Sequence, residues 1–285
     1  MTTDEELQAA ASALAESVLV VGYGESGRHA AAEVAGRDVP ASDDAETPDA
    51  VVRAVDGTAD PSSVAATAPP DAPLDVAVVT LPDRPTDSER DLLAALDERT
   101  DAVVLAPGTA GDGDALADAV ASFVSVVRDP GFVNLDLADA RTLLAEVDRA
   151  ALGIGTSDAG TPAEAVAAGF ASLPAGIETD PASGVLVDLL GGPEMSVEDV
   201  SDAVTAVRGR VGPDAHVIWG GAVDPTLEEA VRVRLVVAGV GSSRVTAGDP
   251  CPRCGSPLSA YTLGSSATVS CDNCGFAGVS ARLRD

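Results

Sequence analysis

Lysine is absent from this sequence of 285 residues, so all 17 of its basic residues are arginines. Against them stand 46 aspartates and glutamates, which leaves a formal net charge of −29. A surface this acidic repels the phosphates of nucleic acids and anionic membrane faces, so neither is expected as a partner. Salt screens such self-repulsion, and the composition therefore indicates a halophilic, archaeal source.

Long apolar runs are also lacking, and cysteine is scarce. No stretch approaches the roughly 20 apolar residues that a membrane-spanning helix needs. The segment Met1 to Leu14 is acidic, whereas a secretory signal would be basic. Only four cysteines occur, all within residues 251–274, so a secreted disulfide scaffold is not expected. The sequence predicts a cytoplasmic protein.

The four cysteines form two matching turns, Cys251-Pro-Arg-Cys254-Gly and Cys271-Asp-Asn-Cys274-Gly, with 16 residues between Cys254 and Cys271. Zinc takes four thiolates in a tetrahedron, and each turn delivers two of them from one loop whose following glycine can adopt a positive φ. The spacing predicts a structural zinc ribbon, with a redox dithiol or an iron-sulfur site as alternatives. A small positive charge on this segment favours a protein contact over nucleic acid.

Apolar patterns in the rest of the chain predict an α/β fold. Continuous apolar runs at 76–81 and 102–106 are typical of parallel strands covered on both faces. An apolar-faced helix over 114–128 is predicted to connect two halves of the chain. Further helices are predicted over 88–96, 137–149, 162–172 and 197–208, and further strands over 185–190, 217–219 and 231–238.

The N-terminal segment shows the opening of an α/β unit. A short helix at 9–16 is followed by an apolar strand at 17–21, a glycine-rich turn at 22–27 and a helix to about Val34. Residues 37–73 are rich in Ala, Asp, Pro, Ser and Thr. They are predicted to be mostly loop, with one short apolar stretch at 50–55.

From Asp129 the chain runs Asp-Pro-Gly-Phe-Val-Asn-Leu-Asp-Leu-Ala-Asp-Ala-Arg-Thr. This run resembles the FtsZ motif in which a helix leads into Asn-x-Asp-Phe-Ala-Asp-Val-Arg. The resemblance continues in order through Gly153-Ile-Gly155, Gly184 to Gly192, His216 to Gly220 and Arg232 to Gly239. It implies a truncated FtsZ/tubulin-like nucleotide-binding domain with a central helix over 1–128, a second α/β domain over 129–242, and the added zinc ribbon over 250–285.

The resemblance also implies how such a protein works. In FtsZ and tubulin the N-terminal half binds GTP, and subunits stack head to tail into filaments. An asparagine and two acids of the connecting loop enter the neighbouring subunit's GTP site and help to orient the attacking water. These positions match Asn134, Asp136 and Asp139, and a carboxylate pair suits that task.

The chain's own nucleotide site departs from the family pattern. Gly22, Gly24 and Gly27 resemble the first phosphate loop, and Asp114 stands where the family has an aspartate that contacts guanine. The signature glycine loop expected before strand 76–81 is not recognisable, and Gly57-Thr58-Ala59-Asp60-Pro61 is the nearest fragment. Glu25 stands where the family usually has a glycine, His29 where it has an asparagine that contacts the nucleotide, and Thr109 where it has an aromatic residue. These departures argue against GTP binding by this chain.

Three hypotheses follow. The leading one is a pseudo-GTPase that acts through contacts with subunits or partners, docking onto typical FtsZ-like subunits and regulating filaments in cell division or shape. The second is a divergent GTPase that assembles itself. The third is a dinucleotide-binding protein, because Gly22-x-Gly24-x-x-Gly27 after a strand fits that fingerprint. The simpler interpretations are a tight turn for the glycines and a capped, solvated helix start for the acids.

Overall fold

A computed structural model describes residues 18–37, 48–64, 68, 71–82, 85–108, 111–128, 131–145, 147–158, 160–175, 177–179, 182–240, 247–248, 251, 254–263, 266–274 and 277–279. The helix predicted at 9–16 lies outside these residues. The chain divides into two compact units, residues 1–241 and 242–285. The domain boundary that the sequence predicts between residues 128 and 129 stays a prediction.

The first unit is built on one eight-stranded sheet, and the α/β class is confirmed. In chain order its strands are β1 (Val18–Tyr23), β2 (Ala50–Asp56), β3 (Asp75–Thr80), β4 (Ala102–Ala106), β5 (Arg149–Ser157), β6 (Gly184–Gly191), β7 (His216–Val223) and β8 (Val231–Ala238). Their spatial order is β1-β2-β3-β4-β5-β8-β6-β7. Neighbours pair in parallel except where β8 runs antiparallel between β5 and β6.

Six α-helices cover this sheet within the described residues. They are α1 (Gly24–Ala35), α2 (Asp87–Asp97), α3 (Gly113–Arg128), α4 (Leu137–Leu144), α5 (Pro162–Ala171) and α6 (Val197–Arg208). The long connecting helix is confirmed as α3. The start of α6 is confirmed too, because Ser196 and Asp199 form a reciprocal capping box there. None of the described helices is long and apolar enough to cross a membrane.

The helices around the parallel strands lie on two faces. Helices α1 and α3 pack on the face that carries Val52 and Val78, whereas α2 packs on the face that carries Val55 and Val79. Both the β1-α1-β2 and the β3-α2-β4 connections lead to the next strand in the same direction. Because α1 and α2 lie on opposite faces of the sheet, the two crossovers have opposite hands. One of them is therefore left-handed, whereas such crossovers are right-handed in nearly all proteins.

The prediction of mostly loop over 37–73 is wrong for residues 50–56, which form β2 inside the sheet. An arginine in the middle of the apolar run obscured this strand. Arg53 is fully buried, and its Nε donates to Asp75 Oδ1 on β3 at 2.9 Å. Burial of Asp75 outweighs the attraction of Arg53 and raises the pKa of that carboxyl to about 6.

The prediction of a helix over 137–149 is wrong at its end. Helix α4 stops at Leu144, and β5 begins at Arg149, a strand that the sequence pattern did not indicate. Glycine weakens a strand interior, and β5 contains Gly153 and Gly155. Packing requires both, because a Cβ at Gly155 would lie 2.1 Å from the carbonyl oxygen of Ala165 on α5.

The second unit contains a small antiparallel sheet. Its strands are β9 (Ser259–Leu263), β10 (Ser266–Ser270) and β11 (Ala277–Val279), with β10 in the middle. Cys251 and Cys271 are buried together with Leu258, and Cys274 packs against them. Among the described side chains of this unit, the cysteines therefore form most of the buried cluster.

Candidate functional site

The glycine-rich segment joins β1 directly to α1, so the predicted turn over 22–27 is shorter than expected. Strand β1 runs through Tyr23, and α1 starts at Gly24, whose φ is +68°. A Cβ at Gly22 would lie 2.2 Å from the Gly27 carbonyl oxygen, and one at Gly27 would lie 2.4 Å from that of Ala54. These glycines let α1 pack tightly on β1 and β2, which is a sufficient structural reason for them.

A carboxylate from the neighbouring strand lies at the start of α1. Asp56, the last residue of β2, is 3% exposed, and its Oδ2 accepts a hydrogen bond from the Ser26 backbone N–H at 3.3 Å. Its Oδ1 accepts from the backbone N–H and hydroxyl of Thr58, both at 2.8 Å. Tyr23, the N-cap residue of α1, makes no side-chain cap. Asp56 thus caps the helix from outside, where a bound anion would otherwise lie.

The pKa of Asp56 agrees with this arrangement. Burial alone would raise it, but the hydrogen bonds from Thr58 and Ser26 outweigh burial and hold the pKa below its ordinary value. Asp56 is therefore ionised at neutral pH. Sequence reasoning did not single it out, and the only available signal was an acid at the end of the apolar stretch 50–55.

An open cavity of about 730 Å³ lies at this edge of the sheet. It is lined by Glu25, Ser26, His29, Asp56, Thr58, Gly111, Asp112, Gly113 and Asp114. Four of these residues carry carboxylates, and no arginine is among the described residues that line the cavity. A triphosphate entering here would meet negative charge on several sides.

Asp114, the predicted guanine contact, lies at the cavity on the first turn of α3. Its Oδ1 lies 3.1 Å from His29 Nε2 on α1, and its side chain is 93% exposed. Gly113 packs against the same imidazole, since an added Cβ there would lie 3.0 Å from His29 Cδ2. The structure thus brings Gly22, Gly24, Gly27 and Asp114 to one region, with Asp114 already contacting His29.

The predicted subunit-contact residues lie on the loop between α3 and α4 and, for Asp139, in the first turn of α4; we call this segment as a whole the loop between α3 and α4. Asn134 Oδ1 accepts from the Gly131 backbone N–H at 2.6 Å. Asp136 Oδ1 accepts from the N–H groups of Ala138 and Asp139, and Asp139 Oδ2 accepts from the Asp136 N–H at 3.1 Å. This is a capping box at the start of α4. One oxygen of each carboxylate is committed to the cap.

Helix α3 separates the loop from the cavity. Its first residues line the cavity, and its 16 residues span roughly 24 Å at 1.5 Å per residue. The loop carrying Asn134, Asp136 and Asp139 therefore follows the far end of the helix. The two regions cannot meet within one chain, but they could meet between two stacked molecules.

The four cysteines come together in the second unit. Their sulfur atoms all lie within 4.8 Å of one another, with Cys251 Sγ 3.6 Å from Cys274 Sγ and Cys254 Sγ 3.4 Å from Cys271 Sγ. A zinc ion with four thiolates at about 2.3 Å would set them about 3.8 Å apart, so the cluster fits a metal ion. Gly255 has a φ of +72°, which confirms the predicted role of that glycine.

Cys254 is prepared to act as a thiolate. Hydrogen bonds from Ser256 and then Asn273 lower its pKa to about 5. Asn273 Nδ2 lies 3.6 Å from the sulfur. Thiolates are the form of cysteine that binds metals, so these donors belong to the surroundings that a metal site needs.

Comparison with known proteins identifies the C-terminal part by sequence. Residues 148–241 match the FtsZ family, C-terminal domain. The chain is 33% identical over 133 residues to Cell division protein FtsZ 1 of Halobacterium salinarum, and 35% identical over 133 residues to Cell division protein FtsZ of Haloferax mediterranei. Each match covers 46% of this chain and 34% or 35% of the relative, so the chain spans about a third of those proteins.

Solved structures extend the likeness across the main unit. An empty FtsZ dimer from M. jannaschii matches with a TM-score of 0.59 and 20% identity, covering 80% of this chain and 89% of that one. The GTPgS-bound protofilament of CetZ2 from Haloferax volcanii matches with a TM-score of 0.56 and 15% identity, covering 79% and 94%. Residues 148–241 are thus an FtsZ-family C-terminal domain by sequence, and the main unit has the fold of FtsZ and CetZ.

Proposed function

We propose that this protein is a cytoplasmic pseudo-GTPase of the FtsZ family that docks onto FtsZ-type subunits and regulates their filaments. It uses the loop that carries Asn134, Asp136 and Asp139 and binds no nucleotide of its own. The relatives at 33% and 35% identity are cell division proteins, so the process in which the docking acts is division or shape. One chain docked at a filament end would leave no working nucleotide site for the next subunit.

The observation that carries this proposal is the position of Asp56. Its carboxylate accepts the Ser26 N–H at the start of α1, and a helix N-terminus that follows a glycine loop is where phosphates bind in nucleotide-binding folds. A phosphate and a carboxylate compete there for the same donors, and each repels the other. The acids Glu25, Asp112 and Asp114 around the cavity add to that repulsion.

The divergent GTPase remains the second candidate. The CetZ2 neighbour is a GTPgS-bound protofilament, and Gly22, Gly24, Gly27 and Asp114 lie together as a nucleotide site would need. Magnesium could offset part of the negative charge. This candidate requires a triphosphate to displace Asp56 from two sets of hydrogen bonds, which is why we rank it second.

One feature favours the dinucleotide-binding candidate, and two features count against it. Strand β2 does end in an acid beside the glycine loop, although that fold places the acid about 20 residues beyond the glycines, near 38–44, where the sequence predicts a loop. However, Asp56 is 3% exposed and already accepts three hydrogen bonds, so it is not available to a ribose. The strand order β1-β2-β3-β4 also lacks the reversal beside β1 where such cofactors bind.

We also propose that the metal of the second unit is zinc and that its role is structural. Cys251, Cys254, Cys271 and Cys274 would hold it, and four protein ligands close the coordination shell. When bound, the metal supplies folding energy to a unit whose own core is small. What the ribbon contacts is proposed to be another protein.

A co-sedimentation experiment tests the docking. FtsZ of Haloferax mediterranei would be polymerised with GTP in molar KCl, and this protein would be added in increasing amounts. Replacing both Asp136 and Asp139 by alanine is expected to weaken binding by at least about tenfold, or 1.4 kcal/mol. The reason is that the acids contact the partner directly.

Two control variants separate contact from capping. Asp136→Asn with Asp139→Asn removes the charges but keeps good capping side chains. Asp199→Ala removes the corresponding member of the capping box on α6 and should leave binding unchanged. The docking proposal fails if the alanine double variant pellets with the filaments as well as the unaltered protein does.

A further inference from the structure

The four cysteines of the second unit differ in how far solvent reaches them. Cys254 is exposed, whereas Cys251 and Cys271 are only 3% and 2% exposed. Cys274 lies between these extremes. Oxidation and alkylation of a cysteine require a thiolate and access to the reagent. A bound metal keeps all four sulfurs as thiolates, so access distinguishes them, and a reagent in solution meets the sulfur of Cys254 first.

A second sulfur that can react with an oxidised Cys254 lies on the other turn. Cys254 Sγ lies 3.4 Å from Cys271 Sγ, and Cys251 Sγ lies 3.6 Å from Cys274 Sγ. Each of these pairs takes one cysteine from each CxxC turn. A disulfide bond is about 2.05 Å long, so a closure of about 1.4 Å joins Cys254 to Cys271. This arrangement differs from a redox dithiol, in which the two cysteines of one CxxC turn pair.

Thiol chemistry is confined to the second unit. All four cysteines lie within residues 251–274, so residues 1–241 contain none. Sulfur elsewhere in the chain is limited to Met1 and Met195, and methionine oxidises to a sulfoxide without forming a disulfide. Among the described side chains of the second unit, the buried cluster consists of Leu258 and the cysteines. Oxidation of the thiols therefore acts on the support of this unit and leaves the core of the main unit intact.

We propose that Cys254 is an oxidation site at which hydrogen peroxide releases the metal of the second unit, by joining Cys254 to Cys271 in a disulfide bond. This inference rests on the proposed metal site and adds a reaction to it. Cys254 Sγ attacks one oxygen of the peroxide, an S–O bond forms, the O–O bond breaks and hydroxide leaves, so Cys254 becomes a sulfenic acid. Cys271 Sγ then attacks the sulfur of Cys254, an S–S bond forms, and the S–O bond breaks as a second hydroxide leaves.

The sequence of steps balances in atoms and electrons. The two thiolates lose two electrons, the peroxide gains them, and both hydroxides take protons from solvent to become water. Cys251 and Cys274 remain as thiolates, but two ligands do not complete the four-coordinate site that zinc requires. The second unit thus loses its metal and its fold under oxidation. A thiol reductant that cleaves the disulfide lets the metal bind again.

Zinc release and disulfide mapping test this site on the full chain. Zinc-loaded protein in molar KCl would be treated with hydrogen peroxide while a chromogenic chelator reports free zinc, and peptide mass spectrometry would map the sulfur bonds. We expect one zinc to leave for each disulfide formed, and the first disulfide to join Cys254 to Cys271. Dithiothreitol with added zinc should restore the metal. Met195→Leu should release zinc at the unaltered rate, because methionine takes no part in the reaction.

Alkylation without peroxide tests the order of access. Cys254→Ser would remove a metal ligand, so the order is measured on the unaltered, zinc-loaded protein. N-ethylmaleimide added below stoichiometry should modify Cys254 at least about tenfold more than Cys251 or Cys271, because those two sulfurs are buried. Equal modification of the cysteines would contradict the selection of Cys254 by access.

The outcomes separate the oxidation site from the metal site. If the protein does not bind zinc when zinc is added, the proposed metal site fails and the oxidation site fails with it. If zinc binds and excess peroxide leaves it bound, the oxidation site alone is wrong. A first disulfide between Cys251 and Cys254, within one turn, would also overturn the inference, because it would assign the redox dithiol to that turn.

Discussion

Replacing Cys271 by serine is expected to remove the metal ion and to unfold the ribbon while the main unit stays folded. Cys271 is 2% exposed, and its sulfur lies 3.4 Å from that of Cys254. Structural zinc in small modules contributes roughly 10–16 kcal/mol of binding free energy, which such modules need in order to fold. Among the side chains that the structure describes in the ribbon, the buried cluster consists of Leu258 and the cysteines, so loss of the metal removes a main support of this unit.

Metal analysis and hydrogen exchange would measure this effect together. The unaltered protein should contain one zinc per chain and protect the amides of β9 and β10, and the variant should lose both. Ser270→Ala, next to the ligand, keeps all four sulfurs and serves as the control. Protection of β9 and β10 in metal-free protein would contradict a structural role, and iron in place of zinc would support the iron-sulfur alternative.

Replacing Asp56 by alanine is expected to destabilise the main unit by about 2 kcal/mol, because hydrogen bonds to a charged group are worth roughly 1.5–3 kcal/mol. The variant leaves the Ser26 N–H at the start of α1 without its acceptor. The stability of Asp56→Asn should lie between that of the unaltered protein and that of Asp56→Ala, since an amide oxygen still accepts a hydrogen bond but carries no charge. Urea unfolding at constant salt, followed by circular dichroism, measures the difference.

Asp60 offers a matched control for Asp56. Its Oδ1 accepts from the N–H and hydroxyl of Ser62, the same local turn that Asp56 forms with Thr58. Asp60 is exposed, and its hydrogen bonds join it to Ser62 and Ser63 of the same turn, so Asp60→Ala should change stability little. Equal losses from Asp56→Ala and Asp60→Ala would mean that the turn, and not the cap on α1, accounts for the effect.

The pH dependence of the Asp56 contribution has a definite sign. The folded-state pKa lies below the ordinary value of 3.8, so the folded protein holds the proton less readily than the unfolded chain. The stabilisation is therefore complete above about pH 4 and declines as the pH falls through the folded-state pKa. The difference in stability between the unaltered protein and Asp56→Ala should shrink over that range.

The strongest sequence patterns predicted elements almost to the residue. Strand β8 and helix α6 have the predicted bounds, the first because it is a continuous apolar run and the second because Ser196 and Asp199 mark its start. The paired CxxCG turns similarly predicted that four cysteines would come together. In each case the determining information is local, within one element or one turn.

The elements that were missed depend on contacts from elsewhere in the chain. Arg53 is tolerated inside β2 because Asp75 of β3 pairs with it, and Gly155 is tolerated inside β5 because α5 needs the space. The position of Asp56 at α1 follows from β1 pairing directly with β2. Strand order does not appear in a single sequence, so this residue could not have been assigned to the cavity beforehand.

Equilibrium binding of GTP tests the central claim most directly. Calorimetry would titrate GTP, with NADH as the control ligand, into zinc-loaded protein in molar KCl with magnesium. We expect no heat of binding for either nucleotide, because Asp56 occupies the start of α1 and the cavity is acidic. Micromolar binding of GTP would contradict the pseudo-GTPase assignment and make the divergent, self-assembling GTPase the better account.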